Sequence, residues 1–454
     1  MRATLAATFM LIAACAAAQL PTEHERICAL ETLHGISYAE CLAAPPPGLV
    51  CGNNVIETGE TCDGLLLAGE TCVSQGFDGG VLACAGDCMS FDTSVCVNDP
   101  PAGDIYALLA THLPAAGQFA QIPNTAITAP VLVKDGDFPF CADIMCNQSY
   151  NAFMSWGGMT LDEPRGLWAL TAGGGRSNYG GNEIYEFMFE SLTWRRRSDP
   201  HPLTGAMMID GTSCPRPSDG PPAQHTYNGS LYIPSKDEYF VMGTASFCKA
   251  GTPNVYEFWV WSNPNSSWRQ VVNPGYNTAP RAAYDAGRDR VYLLGGGTPG
   301  GGTYFWELDP QNEYTIVQGP TALSGGGLGD SFFDNSTRTL YYTTRGWGTY
   351  ALDVPFNGAI AQEALINQIF GADPFHHAWA FHTPSGDLVN WEGNLTVWRY
   401  DPQLDIVTDV TPLTGPHPTI QSTSITDKWE YIPEVDAFVG IYDPRQDMWI
   451  YRLP

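Results

Sequence analysis

A phrase of about 50 residues recurs six times between residues 161 and 454, and this period predicts an all-β chain built as a six-bladed β-propeller. Three observations carry that reading. In every copy an aromatic residue or Leu precedes a short polar turn, and an apolar strand begins seven positions later. The anchors are Leu161, Tyr232, Tyr284, Phe333, Phe381 and Tyr431, spaced by 71, 52, 49, 48 and 50 residues; the strands begin at Trp168, Tyr239, Val291, Leu340, Leu388 and Phe438. The second half of each copy repeats too: EIYEFMFESLTW, NVYEFWVWSNPNSSW, GTYFWELDPQNEY, LTVWRYDPQLDIV and DMWIYRL pair an aromatic strand with a polar turn. Composition agrees, since aromatics are 12%, charged residues only 15%, and the chain holds 48 Gly and 35 Pro. One such sheet cannot bury both faces alone, so the copies must stand around an axis and share their cores.

Taken in order, residues 1–18 carry one basic residue, Arg2, an apolar core and small residues at the end, the pattern of a secretory signal peptide. Cleavage after Ala16-Ala17-Ala18 competes with lipidation at Cys15, because Ile12-Ala13-Ala14-Cys15 looks like a bacterial lipobox. No other stretch approaches transmembrane length, so no transmembrane segment is expected. Of 13 cysteines one lies in this leader, leaving 12 that can form six disulfides in an oxidising compartment. In the N-terminal segment 19–50, Cys28 and Cys41 form a first candidate pair. Cys51, Cys62, Cys72, Cys84, Cys88 and Cys96 crowd into the module 51–97, which is too small and polar for a hydrophobic core and must be held by three cross-links of its own. Zinc is the rival, yet only Cys84 and Cys88 have ligand-like spacing and no His lies in the segment. Its opening CGNNVIETGETCDG and its close FDTSVC resemble a Cys-rich repeat of secreted myxobacterial proteins. That resemblance implies a surface or extracellular protein with a spacer or attachment module, and no chemistry.

Residues 98–116, opening with NDPPAGD, read as a linker to a propeller spanning 117–454. The run GQFAQIPN at 117–124 looks like an outer strand without its own blade, while the last copy ends one strand short. A strand near Gln118 to Pro123 is therefore expected to complete the last blade and close the ring. A seventh blade, the alternative, would have to come from 118–160, where no clear copy is present. Cys141 with Cys146 and Cys214 with Cys248 fall in long insertions around the first two copies, which they would staple. The best helical pattern, AIAQEALINQIF at 359–370, sits in an inter-strand connection. Five N-x-S/T sequons begin at Asn147, Asn228, Asn265, Asn335 and Asn394, glycan sites in a eukaryote and incidental in a bacterium.

The Gly run after the second strand, Gly173 to Gly175 and again Gly295 to Gly297, with a following Tyr and Trp, resembles the Kelch, or galactose-oxidase-type, propeller over residues 104–454. The resemblance implies a fold and little about activity. A copper site of the galactose-oxidase kind would need a Cys linked to a ligand Tyr, whereas every mature Cys here is assigned to a disulfide. No metal and no cofactor is expected.

Propeller ligands meet the loops at one rim of the channel, so residues just before the innermost strands are the first candidates. They include His225 and Tyr227, Arg281, Asp330, His376 and His377, and Trp429, joined by Arg176, Asn178, Tyr179, Asn182 and Glu183 of the first Gly-rich hairpin. Of these, Arg176, His225, Tyr227, Arg281 and His377 form the expected ligand-binding set. Two are permanent cations in a chain with 21 basic and 48 acidic residues, which favours an anionic ligand group such as a uronate or sulfate. The net charge of −27 argues against nucleic acid or an anionic membrane as partner. The expected partner is an extracellular glycan or protein. An alternative is a polysaccharide lyase, with Arg or His neutralising a uronate and Tyr227 or His225 as base. A third is a purely structural surface protein, in which these polar residues cap turns and bind neighbouring backbone.

Overall fold

Six antiparallel sheets of four strands stand where the six copies were expected. In this computed structural model the chain divides into two units, residues 1–99 and 100–454. In the first, short stretches between 51 and 97 are described. In the second, the described residues are 105–128, 131–132, 151–154, 157–172, 181–201, 203–204, 216–217, 220–245, 255–271, 281–296, 303–323, 329–344, 348–355, 363–367, 378–392, 396–418 and 427–454.

Blade 1 runs from the inner strand Met159–Asp162 through Leu167–Thr171 and Ile184–Met188 to the outer strand Thr193–Ser198. Blades 2 to 5 repeat this order, with inner strands Ser230–Ile233, Arg281–Asp285, Ser331–Asp334 and Ala378–His382. Blade 6 has only Trp429–Ile432, Ala437–Gly440 and Met448–Arg452 from the end of the chain; its fourth strand is Gln118–Ile122 from the start. Pairing runs from Gln118 opposite Arg452 to Ile122 opposite Met448, so both ends of the propeller are locked in one sheet, as expected. Beyond the strand, Thr125 Oγ1 accepts from Met448 N at 2.7 Å and Asp447 Oδ1 accepts from Thr125 N at 2.9 Å.

The repeat anchor acquires a physical reason. The residue five positions after it lies in the left-handed region in all six blades: Gly166, Asp237, Asp289, Arg338, Gly386 and Asp436. Two copies meet this need with Gly, which has no Cβ penalty there. In three others the anchor tyrosine donates to the Asp of its own turn: Tyr232 to Asp237 at 3.2 Å, Tyr284 to Asp289 at 2.7 Å and Tyr431 to Asp436 at 3.0 Å. In blade 4 the guanidinium of Arg338 lies 4.6 Å from the ring centroid of its anchor Phe333 and reaches Asp285 of blade 3.

Apolar faces meet between blades. Six buried clusters occupy the six seams: Phe240, Phe258 and Leu293 between blades 2 and 3, for example, and Trp391, Trp429 and Tyr451 between blades 5 and 6. Phe119 of the closing strand is buried in the last of these, 4.8 Å from Tyr451 and 6.1 to 6.3 Å from Trp391, Trp429 and Trp449 by ring centroids.

Two expectations need correction. The helical pattern at 359–370 gives way to a strand, Glu363–Asn367, because the fourth position of blade 4 must be filled and sheet pairing outweighs local preference. The expected linker 98–116 contributes a short helix, Ala107–Ala110, and buries Tyr106 and Leu109 in the seam between blades 6 and 1. In the Cys-rich unit, Cys51 bonds Cys88 and Cys62 bonds Cys84. Cys88 also lies near Glu60 and Asp63, but its sulfur is spent in that disulfide and is no thiolate ligand. Cys28, Cys41, Cys72, Cys141, Cys146, Cys214 and Cys248, and the side chain of Cys96, lie outside the described residues. Among the described residues no helix is long and apolar enough to cross a membrane.

Replacing Phe119 by Ala removes a ring from the closing seam and should lower the unfolding free energy by about 3–5 kcal/mol in a denaturant titration. A loss indistinguishable from zero would show that the closing strand does not hold the ring together.

Candidate functional site

An inner strand is an edge strand: its N–H groups on the axis side have no neighbouring strand to bond. At the end where these strands begin, the next blade's chain or a side chain supplies the acceptor. Met159 N of blade 1 donates to Asp427 O of blade 6 at 3.1 Å, and Ala282 N of blade 3 to Asn228 O of blade 2 at 2.7 Å. Ser331 N of blade 4 donates to Asn228 Oδ1 at 2.9 Å, and Trp379 N of blade 5 to Asp330 Oδ2 at 3.2 Å. All four donors stand two positions before their anchors, so they recur at one level of the repeat.

The turn Thr226-Tyr227-Asn228 is the hub of this ring. Thr226 Oγ1 accepts from Gly158 N at 2.7 Å, tying it to blade 1. Tyr227 has φ 45°, and its carbonyl would lie 1.5 Å from any Cβ on residue 158, so only Gly allows the approach. Asn228, 5% exposed, uses its whole side chain: Oδ1 accepts from both Ser331 N and Ser331 Oγ at 2.9 Å, and Nδ2 donates to Asp427 Oδ1 at 3.1 Å. Blades 1, 2, 3, 4 and 6 thus meet through three residues. Because Nδ2 is bonded in this way, the sequon at Asn228 is closed to modification in the folded chain.

Two carboxylates flank the hub. Asp330 is 2% exposed, and its Oδ1 has no hydrogen-bond partner. Burial pushes its carboxyl up to about 7 against the opposing pull of Trp379 N–H and the Arg281 charge. Asp427 keeps part of its surface in solvent, but Oδ2 is sealed and lacks a partner. Burial, then the charges of Asp330 and Glu430, push it well above the usual carboxylate range, opposed by the Asn228 amide and by Lys428. Burial brings Lys428 down to about 7, with Asp427 opposing. Burial at this mouth thus pushes both acids up and the lysine down, favouring the neutral form of each.

The structure places three of the five expected site residues here. His225 and Tyr227 meet, with Nδ1 of the buried imidazole 3.3 Å from the Tyr227 hydroxyl. Arg281, 1% exposed, turns into blade 4, where Nη1 donates to Thr343 O and the guanidinium lies 5.3 Å from the Tyr342 ring centroid. Arg176 and His377 lie outside the described residues, as do Asn178, Tyr179 and His376. Trp429 is buried in the seam with blade 5, and Glu183 accepts from Tyr185 at 2.8 Å. Asp427 and Asn228 were missed as site residues. Each stands four positions before an anchor, which was the available signal.

No known family profile matches the chain, and no curated protein is significantly similar to it. Several solved structures are similar to the chain at low sequence identity. An auxiliary nutrient binding protein from Bacteroides ovatus ATCC 8483 shares 8% identity over 65% of this chain and 69% of its own, with a TM-score of 0.44. A structural genomics protein of unknown function from Bacteroides thetaiotaomicron VPI-5482 shares 8% over 63% and 67%, with a TM-score of 0.39. The β-propeller domain of Myceliophteria thermophila Cps50 (Swd1) shares 10% over 65% and 96%, also at 0.39.

Asn228→Ala strips a partner from Ser331 N and from Asp427 Oδ1, and should cost about 2–4 kcal/mol of stability in denaturant unfolding. Asn228→Asp should cost more at pH 8 than at pH 5, because a third carboxylate then faces Asp427. Equal losses at both pH values would contradict the placement of Asp427 beside residue 228.

Proposed function

We propose that this is an exported, Kelch-like propeller that binds an extracellular glycan or protein at the mouth where its inner strands begin. One observation carries the reading: at that mouth the fold leaves buried polar atoms unused, Asp330 Oδ1 and Asp427 Oδ2, beside the paired His225 and Tyr227. Buried polar groups without partners are rare in native proteins, and a ligand would supply what is missing. Export is supported by the two disulfides of the Cys-rich unit and by the leader-like residues 1–18, ending either in cleavage or in a lipid on Cys15. Arg176, His225, Tyr227, Arg281 and His377 remain the proposed ligand set, with Arg281 acting from within the wall through its charge on Asp330.

A polysaccharide lyase is the second reading, favoured by the contact between His225 and Tyr227, which could carry a proton from a substrate carbon. It is set back by Arg281, whose commitment to Thr343 and Tyr342 removes one cation from the task of holding a uronate.

The test is a glycan array probed with the mature protein and with a variant carrying His225→Ala and Tyr227→Ala. The binding reading expects selective signals that fall at least about tenfold in the variant, a loss of roughly 1.4 kcal/mol, with little change in melting temperature. Signals unchanged in the variant would place the ligand elsewhere. An absorbing unsaturated product from an acidic polysaccharide would instead favour the lyase.

A further inference from the structure

The charges around the mouth decide which ligand group it can accept. Two carboxylates, Asp330 and Glu430, both raise Asp427. Among the described residues the cations acting on them are Arg281, on Asp330, and Lys428, on Asp427. Arg281 is permanently charged, but Lys428 gives up its proton near neutrality because it is buried. With the acids ionised, negative charge exceeds positive charge among these described groups, and an anionic group beside them would be disfavoured.

The hydrogen-bond inventory points the same way. Asp330 Oδ2 is used by Trp379 N and Asp427 Oδ1 by Asn228 Nδ2, leaving one buried oxygen on each. When ionised both are acceptors, so a donor placed there would favour the ionised form of each acid. They stand on blades 4 and 6, on either side of Asn228, which touches both blades.

We propose that the mouth holds its ligand through a protonated amine, that of a hexosamine unit in a deacetylated glycan, donating to Asp330 Oδ1 and Asp427 Oδ2. This rests on the glycan-binding reading above and replaces the anionic group expected from Arg176 and Arg281. A hexosamine fits better than a lysine side chain because hydroxyls flank its amine on a rigid ring and offer donors at more than one position. An ammonium also supplies the counter-charge that lets both acids ionise.

The probe is a glucosamine tetramer, compared by calorimetry at pH 6.5 with its fully N-acetylated form, a neutral glucose tetramer, a galacturonate tetramer, a lysine-containing peptide and calcium chloride. The expected result is binding of the glucosamine tetramer at least tenfold tighter than any other probe. Asp427→Asn and Asp330→Asn should each weaken it at least tenfold. Both amides keep an acceptor oxygen and the side-chain shape, so melting temperatures should not fall, and circular dichroism should confirm the fold. Preference for the acetylated, neutral, uronate or peptide probe overturns the amine. So does calcium binding that these variants abolish while the glucosamine tetramer shows none. If the preferred probe still loses affinity in the variant with His225→Ala and Tyr227→Ala, only the amine falls and the mouth stands as the site. If no oligosaccharide binds, the glycan reading falls as well.

Discussion

Six edge strands facing a common axis present a row of backbone donors with no strand to receive them, and the rest of the structure depends on how that row is satisfied. The chain meets the need by letting one blade's entry segment accept from the next blade's inner strand: Asp427 O for Met159, Asn228 O for Ala282, Asp330 Oδ2 for Trp379. Asn228 extends the principle by accepting from blade 4 with its side chain while its amide bonds blade 6. The mouth is thereby fixed by bonds that would cost free energy if left unmade. Closure of blade 6 by Gln118–Ile122 completes the same logic at the periphery, since it pairs the last open position of the ring.

At the opposite ends of the inner strands the scarce cations are spent on carboxylates within and between blades. Arg338 of blade 4 holds Asp285 of blade 3, which also accepts from the Tyr292 hydroxyl and from Arg288 N. Arg269 joins Glu238 of its own blade to Glu313 of blade 3, while Arg288 binds Glu307 within blade 3 and Arg399 binds Asp387 within blade 5. Arg165 joins Asp162 of its own blade to Asp237 of blade 2. With 21 basic residues against 48 acidic ones, this use commits many of the arginines to structure, and at the mouth burial brings Lys428 down to about 7.

Most of the fold was legible because its determinants are local and repeated. The anchors and their spacing located all six sheets, and the missing strand of the last copy identified Gln118–Ile122 as its complement. The strand Glu363–Asn367 was hidden by a helical pattern, because what decides its state is the vacancy beside Gly348–Asp353 and not its own residues. The site was legible only in part. Arg281 stands before an inner strand, as read, but its direction into Tyr342 and Thr343 depends on how blades 3 and 4 pack. Asn228 and Asp427 are 199 residues apart, and their contact exists only after the ring has closed.

The central claim is that Asn228 makes the mouth a rigid part of the ring. Amide hydrogen exchange at Ala282 and Ser331 tests it most directly, because both donate to Asn228 and neither has a strand on that side. The account predicts that these two amides exchange as slowly as the central-strand amides of Val241 and Leu293, through global unfolding alone. Exchange at the rate of exposed turns such as 402–405 would contradict it.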